Sequence, residues 1–184
     1  MVLYEDSRQQ NGKHKNVLAY CKRHGIELIR KKLDVGDYML EGGTVSVDTK
    51  FGMAECYSNL IQDHDRFRRE CIRARDSGIR LVVLVEESGI TTLEDVKEWA
   101  NPRVTAYERA VANGWPHAKA APISSKRLYG IMRTMEENYA IQFQFCHKNS
   151  TGKRIVEILT EGTDEGHCVD NGHDQAISDG NTSG

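Results

Sequence analysis

No apolar run in this 184-residue chain approaches the roughly 20 residues that cross a bilayer, and its opening residues carry no secretory signal pattern. Both lacks argue against a membrane-spanning or secreted protein. Cysteine is sparse and odd in number: Cys21, Cys56, Cys71, Cys146 and Cys168 show no paired spacing for a disulfide framework or a zinc finger. Four of them sit in apolar patterns, where a free thiol behaves as a small hydrophobe, and a reducing cytoplasm suits them. There is no Gly-rich phosphate loop, no Ser-His-Asp order and no Cys-nucleophile motif. Positive charge is not in excess either. Against 25 Lys and Arg stand 27 Asp and Glu, a formal net charge of −2. Any affinity for nucleic acid must come from local patches.

What is present is an ordinary globular composition, 39% hydrophobic and 28% charged, with length enough for one substantial core. Strand and helix patterns alternate along it. An apolar strand at residues 2–4 runs into Glu5-Asp6-Ser7-Arg8. Helical periodicity covers 13–24, with Gly25 as its stop, and an extended stretch at 26–32 leads into a hairpin. Helices are expected over 51–61, 63–77, 92–99, 124–139 and 152–160. Strands are expected over 80–86, where LVVLV reads as a buried central strand, and over 140–146. This alternation predicts an α/β fold, a central mixed sheet flanked by helices, over residues 1–162. Residues 101–122 hold all three prolines and Trp115 without a clear period, which predicts a loop-rich insertion with one helical turn near 105–113. From 163 to 184 the composition turns to Gly, Asp, Asn, Ser and His, predicting a disordered polar tail. His167, Cys168, Asp170, His173 and Asp174 lie there with no apolar scaffold to hold them as ligands.

The densest chemistry lies in residues 33–51, LDVGDYMLEGGTVSVDTKF. Asp37 follows Gly36 at a turn. Beyond a short extended run and the Gly42-Gly43 bend, a strand-like TVSV ends in Asp48-Thr49-Lys50. The two carboxylates, eleven positions apart, flank a predicted β-hairpin. Positions i and i+2 of a strand share a face, so Asp48 and Lys50 project together while Val47 and Thr49 point away. Asp6, Asp37 and Asp48 then meet as three strand ends at one sheet edge. Carboxylates are the hard donors that Mg²⁺ or Mn²⁺ takes, one or two of them completed by water and substrate phosphate. Such an ion activates water and offsets the charge that builds on a phosphorane, and a neighbouring ammonium steadies the same charge. The pattern points to a metal-dependent nuclease of the Asp…(Asp/Glu)-x-Lys type. The competing reading is an ion pair at an exposed strand end.

Asp6-Ser7-Arg8-Gln9, then Leu33-Asp34-Val35-Gly36-Asp37-Tyr38, then Asp48-Thr49-Lys50, with a strand at 82–86 beyond them, resemble the nuclease domain of the XPF-type structure-specific endonucleases. The resemblance is good over residues 2–87 and weaker to about 162. That family reads Asp-x-Arg-Glu, Leu-x-x-Gly-Asp-Tyr and Glu-Arg-Lys at these places. Here Gln9 replaces the Glu, and Asp48 and Thr49 replace the Glu-Arg pair. The family's acid four residues after the Lys falls on Ala54, with Glu55 beside it. The tandem helix-hairpin-helix module of many members has no counterpart. The resemblance implies a restriction-endonuclease-like core and a metal-dependent endodeoxyribonuclease. It implies Asp6, Asp37 and Asp48 as ligands of Mg²⁺ or Mn²⁺, and the same three with Lys50 as the catalytic set. It further implies DNA as partner, branched or with single-strand/duplex junctions, besides a homodimer and an accessory DNA-binding protein. Recombination or repair in a phage or bacterial setting, in the cytoplasm at the nucleoid, would be its place.

The helix expected over 63–77 supplies cations. Arg66, Arg69 and Arg73 recur at helical spacing, opposite an apolar stripe of Phe67, Cys71 and Ala74. Guanidinium forks suit phosphate, and the family carries an Arg in this helix that Arg66 matches best. Arg8, Arg66, Arg69 and Arg73 are therefore the predicted DNA contacts. Asp63, Asp65, Glu70 and Asp76 would equally balance an ordinary solvated face. Lys126, Arg127 and Arg133 form a sparser patch that reads as solvent face, and Trp115 is a candidate for stacking on an unpaired base. Two further readings stay open. One is a nuclease-fold module that has lost catalysis and binds DNA or a partner; the other is an α/β protein whose acids are surface features.

Overall fold

Alternating apolar residues in short extended runs build one mixed sheet in the computed structural model, which describes residues 1–10, 15–114 and 120–161. Its six strands are β1 (Val2–Asp6), β2 (Glu27–Lys31), β3 (Tyr38–Leu40), β4 (Val45–Lys50), β5 (Arg80–Glu86) and β6 (Gln142–Cys146). Their order across the sheet is β2-β1-β3-β4-β5-β6. Strand β3 runs antiparallel to β1 and β4, and every other pairing is parallel. The C-terminal ends of β1, β2, β4, β5 and β6 therefore share one edge with the start of β3. That edge collects Asp6, Asp37 and Lys50.

Helices cover both faces, as expected. Strand periodicity sends Val83 and Val85 to one side, where they pack with Met53 and Leu60 of α2 (Met53–Ile61), Phe67 of α3 (His64–Asp76) and Leu128 of α5 (Ser125–Tyr139). Val82 and Leu84 face the other side, against Val17 of α1 (Lys15–Arg23) and Ile155 and Ile158 of α6 (Thr151–Glu161). Burial on both faces explains the uninterrupted LVVLV run, although β5 lies fifth of six rather than in the middle. Cys21, Cys56, Cys71 and Cys146 are free thiols, the first three buried.

Two expectations change. The loop-rich stretch after residue 101 contains α4 (Pro102–Ala112), an 11-residue helix. Asn101 caps it by accepting from Arg103 N–H, and Pro102 occupies the first turn, where its missing N–H costs nothing. The stretch at 92–99 is a 3₁₀ turn, Glu94–Glu98, not an α-helix. Trp115 and the 163–184 tail lie outside the described residues. Among the described residues, no helix is long and apolar enough to cross a membrane.

Candidate active site

Asp37 is stitched into the sheet edge by its own backbone. Its N–H donates to Val47 C=O at 2.8 Å, and its C=O accepts from Asp6 N–H at 2.8 Å, joining β4 to β1. The turn before it needs Gly36, whose φ is +68°; a Cβ there would also sit 2.2 Å from Ser46 Oγ. The neighbouring strand ends frame a cavity of about 510 Å³. Its lining includes Asp6, Arg8, Gln9, Asp37, Asp48, Lys50, Glu55, Arg66, Glu70 and Arg73.

Asp48 and Lys50 project to the same face, as strand geometry requires, and both are deeply buried at 5% and 6% exposure. Lys50 Nζ lies 2.6 Å from Asp48 Oδ2 and 5.6 Å from the centroid of the Phe67 ring. The two form a close buried ion pair, and no other group donates to Oδ2. Burial drives the Asp48 carboxyl above its ordinary value; Lys50 pulls it down, and the charges of Asp37 and Glu70 push it up again. Burial alone would lower the Lys50 ammonium, but Asp48, Asp37 and Glu70 together hold it above its ordinary value. Behind the pair, burial pushes the thiols of Cys56 and Cys71 up to about 12, which leaves them protonated packing groups.

The other carboxylates are tied more fully. Asp37 Oδ2 accepts from Thr49 N–H at 2.9 Å and Thr49 Oγ1 at 2.5 Å, and Oδ1 accepts from the Gln9 side-chain amide. Asp6 Oδ2 pairs with Arg8 Nε at 2.7 Å, and its Oδ1 accepts from the N–H of Arg8 and, at 3.4 Å, of Leu33. Glu55 accepts from Phe51 N–H at 2.7 Å. Around the mouth, Arg66 and Arg73 are exposed, with long contacts to Asn59 Oδ1 and Asp34 C=O.

Among the described residues, no three acidic, His or Cys groups close on one point as a finished metal cage. The donors still fit a hard divalent ion that keeps several waters, since Asp37 and Asp48 offer oxygen atoms alone. Asp48 Oδ2, a buried carboxylate oxygen that only Lys50 approaches, keeps lone-pair capacity for such an ion.

The ERCC4 domain matches residues 6–158. The chain belongs to the ERCC4-domain family. XPF from Aeropyrum pernix shares its fold with a TM-score of 0.59 and 16% identity, over 89% of this chain and 65% of that one. XPF from Aeropyrum pernix in complex with DNA gives 0.57 and 17%, over 89% and 66%. This ERCC4 domain thus spans slightly less than two thirds of those chains. No curated protein matches it.

Of the residues singled out in the sequence, the ERCC4 domain brings Asp6, Arg8, Asp37, Asp48, Lys50, Arg66 and Arg73 to one cavity. Arg69 is exposed and does not line it. Helical steps of about 100° place residues 70 and 73 within about 40° and 20° of Arg66, but residue 69 about 60° away. Glu70 was therefore the helix-face residue to find, and its charge disguised it as a neutraliser of the arginines. Thr49 was expected to point away from the site. Its side chain does leave the Asp48–Lys50 face, yet Asp37 reaches it from the end of the adjacent strand.

Proposed function

We propose that this ERCC4 domain is a divalent-metal-dependent endonuclease that hydrolyses DNA phosphodiester bonds, at branched structures or single-strand/duplex junctions. The observation that carries the reading is the buried Asp48–Lys50 pair beside Asp37, with Asp48 Oδ2 approached by Lys50 alone. Asp37 and Asp48 would hold Mg²⁺ or Mn²⁺. Asp6, expected as a further ligand, pairs with Arg8 and would also serve by fixing that guanidinium at the mouth of the cavity. When bound, the ion supplies an activated water and offsets charge on the scissile phosphate. Lys50, pinned by Asp48 and kept protonated by its acidic surroundings, meets the same developing charge from the protein side. Thr49 holds Asp37 in one orientation through two donors. Arg66 and Arg73, exposed at the mouth, are placed to grip flanking phosphates. A complex of XPF from Aeropyrum pernix with DNA on the same fold supports DNA as the ligand.

The test is a cleavage assay with Mg²⁺ and Mn²⁺ titrations on single-stranded, duplex, flap and four-way DNA. Cleavage that requires the ion is expected, with folded Asp48→Asn losing at least about two orders of magnitude in rate. Full activity of folded Asp48→Asn, or no cleavage of any substrate at any ion concentration, would overturn the assignment.

A further inference from the structure

Besides its proposed ligands Asp37 and Asp48, the cavity is lined by the carboxylates of Asp6, Glu55 and Glu70, of which Asp6 is paired with Arg8 and Glu55 accepts from Phe51 N–H at 2.7 Å. Glu70 lies half-buried on α3, between Arg66 and Arg73, and lines the same space as Asp37 and Asp48. It is fixed there: Oε1 accepts at 3.0 Å from the N–H of Gly36, the residue just before Asp37. Asp6 contributes no unpaired charge, since Arg8 neutralises it at 2.7 Å.

The cavity sets the carboxylates of Asp37, Asp48 and Glu70 in one space with the ammonium of Lys50. That leaves these four groups a formal excess of about two negative charges, beside a buried oxygen that only Lys50 approaches. Arg66 and Arg73 are exposed, and solvent screens their charge from the buried group. A divalent cation supplies the missing amount.

We propose that Glu70 is the third carboxylate of the cation site, setting its affinity for a divalent ion together with Asp37 and Asp48. This rests on the reading of the cavity as a metal-dependent hydrolytic site. The three groups do not close into a cage, and a hard ion keeps several waters, so Glu70 acts through its charge and through those waters. Its hydrogen bond to Gly36 makes it a positioning residue for the Asp37 turn as well.

Mn²⁺ binding to the full chain, counted from the loss of the free-ion electron spin resonance signal, separates these roles without an activity assay. Glu70→Gln keeps an acceptor for Gly36 N–H and removes the charge. It should keep the wild-type melting temperature while binding Mn²⁺ at least about tenfold more weakly, the scale for one charge near a divalent ion at an effective dielectric of about 20. Glu70→Asp, which keeps the charge, should fall between the two. Glu70→Ala provides a second neutral variant, so whichever neutral variant stays folded decides the outcome. Asp65→Asn removes an exposed charge from the same helix and should bind as wild type does. Wild-type affinity in a folded neutral Glu70 variant, or an equal loss in Asp65→Asn, overturns the role of Glu70 alone. If the wild-type chain itself binds no Mn²⁺, the metal reading fails and takes this one with it.

Discussion

At the scale of single residues, Asp48 and Lys50 titrate in ways that make the site pH-sensitive. Both have raised pKa values, by burial for Asp48 and by neighbouring carboxylates acting against burial for Lys50. A raised group binds its proton more tightly when folded. Its stabilising contribution is complete below the unfolded pKa and is lost as pH rises through the folded one. For Asp48 that loss begins near about 4, whereas for Lys50 it begins only above about 10.4. Between acid and neutral pH, Asp48 therefore drains stability while Lys50 does not. A divalent ion needs the ionised carboxylate, so its stabilising effect should grow over the same interval. Thermal melts with and without Mg²⁺, stepped from about pH 5 to about pH 8, should show a cation-dependent gain that widens with pH. Folded Asp48→Asn should lose most of that gain. A gain that is the same at every pH would contradict the assignment of Asp48 as a ligand.

At the scale of elements, the two faces of the sheet divide the labour. The cavity opens beside α2 and α3, while α1 and α6 pack on the far side through the close approach at Gly152. A Cβ on Gly152 would lie 2.7 Å from Tyr20 Cβ and 3.1 Å from Val17 Cα. Gly152→Ala must push α6 away from α1, at a cost of about 1–3 kcal/mol that a helix-propensity gain of about 1 kcal/mol only partly offsets. Urea unfolding should show the lower midpoint, and Mn²⁺ affinity should stay at the wild-type value below the transition. Weakened Mn²⁺ binding in the folded protein would mean that the two faces are coupled. Most of these elements were legible in the sequence because their periods are clean. The Gly42-Gly43 bend marks the hairpin, α3 buries one apolar stripe, and LVVLV reads as an unbroken apolar run because it is buried on both faces. Helix α4 was legible only as one turn near 105–113, because it buries no residue and so shows no stripe, and because Pro102 starts it rather than breaking it. At the site, Asp37, Asp48 and Lys50 were readable from spacing, since strand alternation and one turn suffice to gather them. Glu70 and Gln9 were not, because only the packing of α3 and of the β1 end against the hairpin brings them to Asp37.

For the whole molecule, a net charge of −2 means that DNA cannot be drawn in by a general field. Attraction has to come from local cations, and those at the cavity are unequal. Arg8 is already paired with Asp6, with its side chain 58% exposed, whereas Arg66 and Arg73 touch only neutral oxygens among the described residues. Each phosphate neutralised releases counterions and contributes about −0.9 to the slope of log affinity against log salt on duplex DNA. With two to four such contacts, the slope should be shallow, about −2 to −4. Arg66→Ala and Arg73→Ala should each reduce its magnitude by about 1 and weaken binding to all sequences alike, because a phosphate contact carries no base information. Arg69→Ala, off the cavity face of α3, should change it less. Fluorescence anisotropy of a labelled flap substrate across a salt series, in Ca²⁺ to suppress cleavage, reads these slopes directly. A slope much steeper than −4 would place most of the DNA interface beyond the cavity. An Arg69→Ala effect equal to that of Arg66→Ala would mean that the strand lies across the exposed face of α3, not along its cavity face.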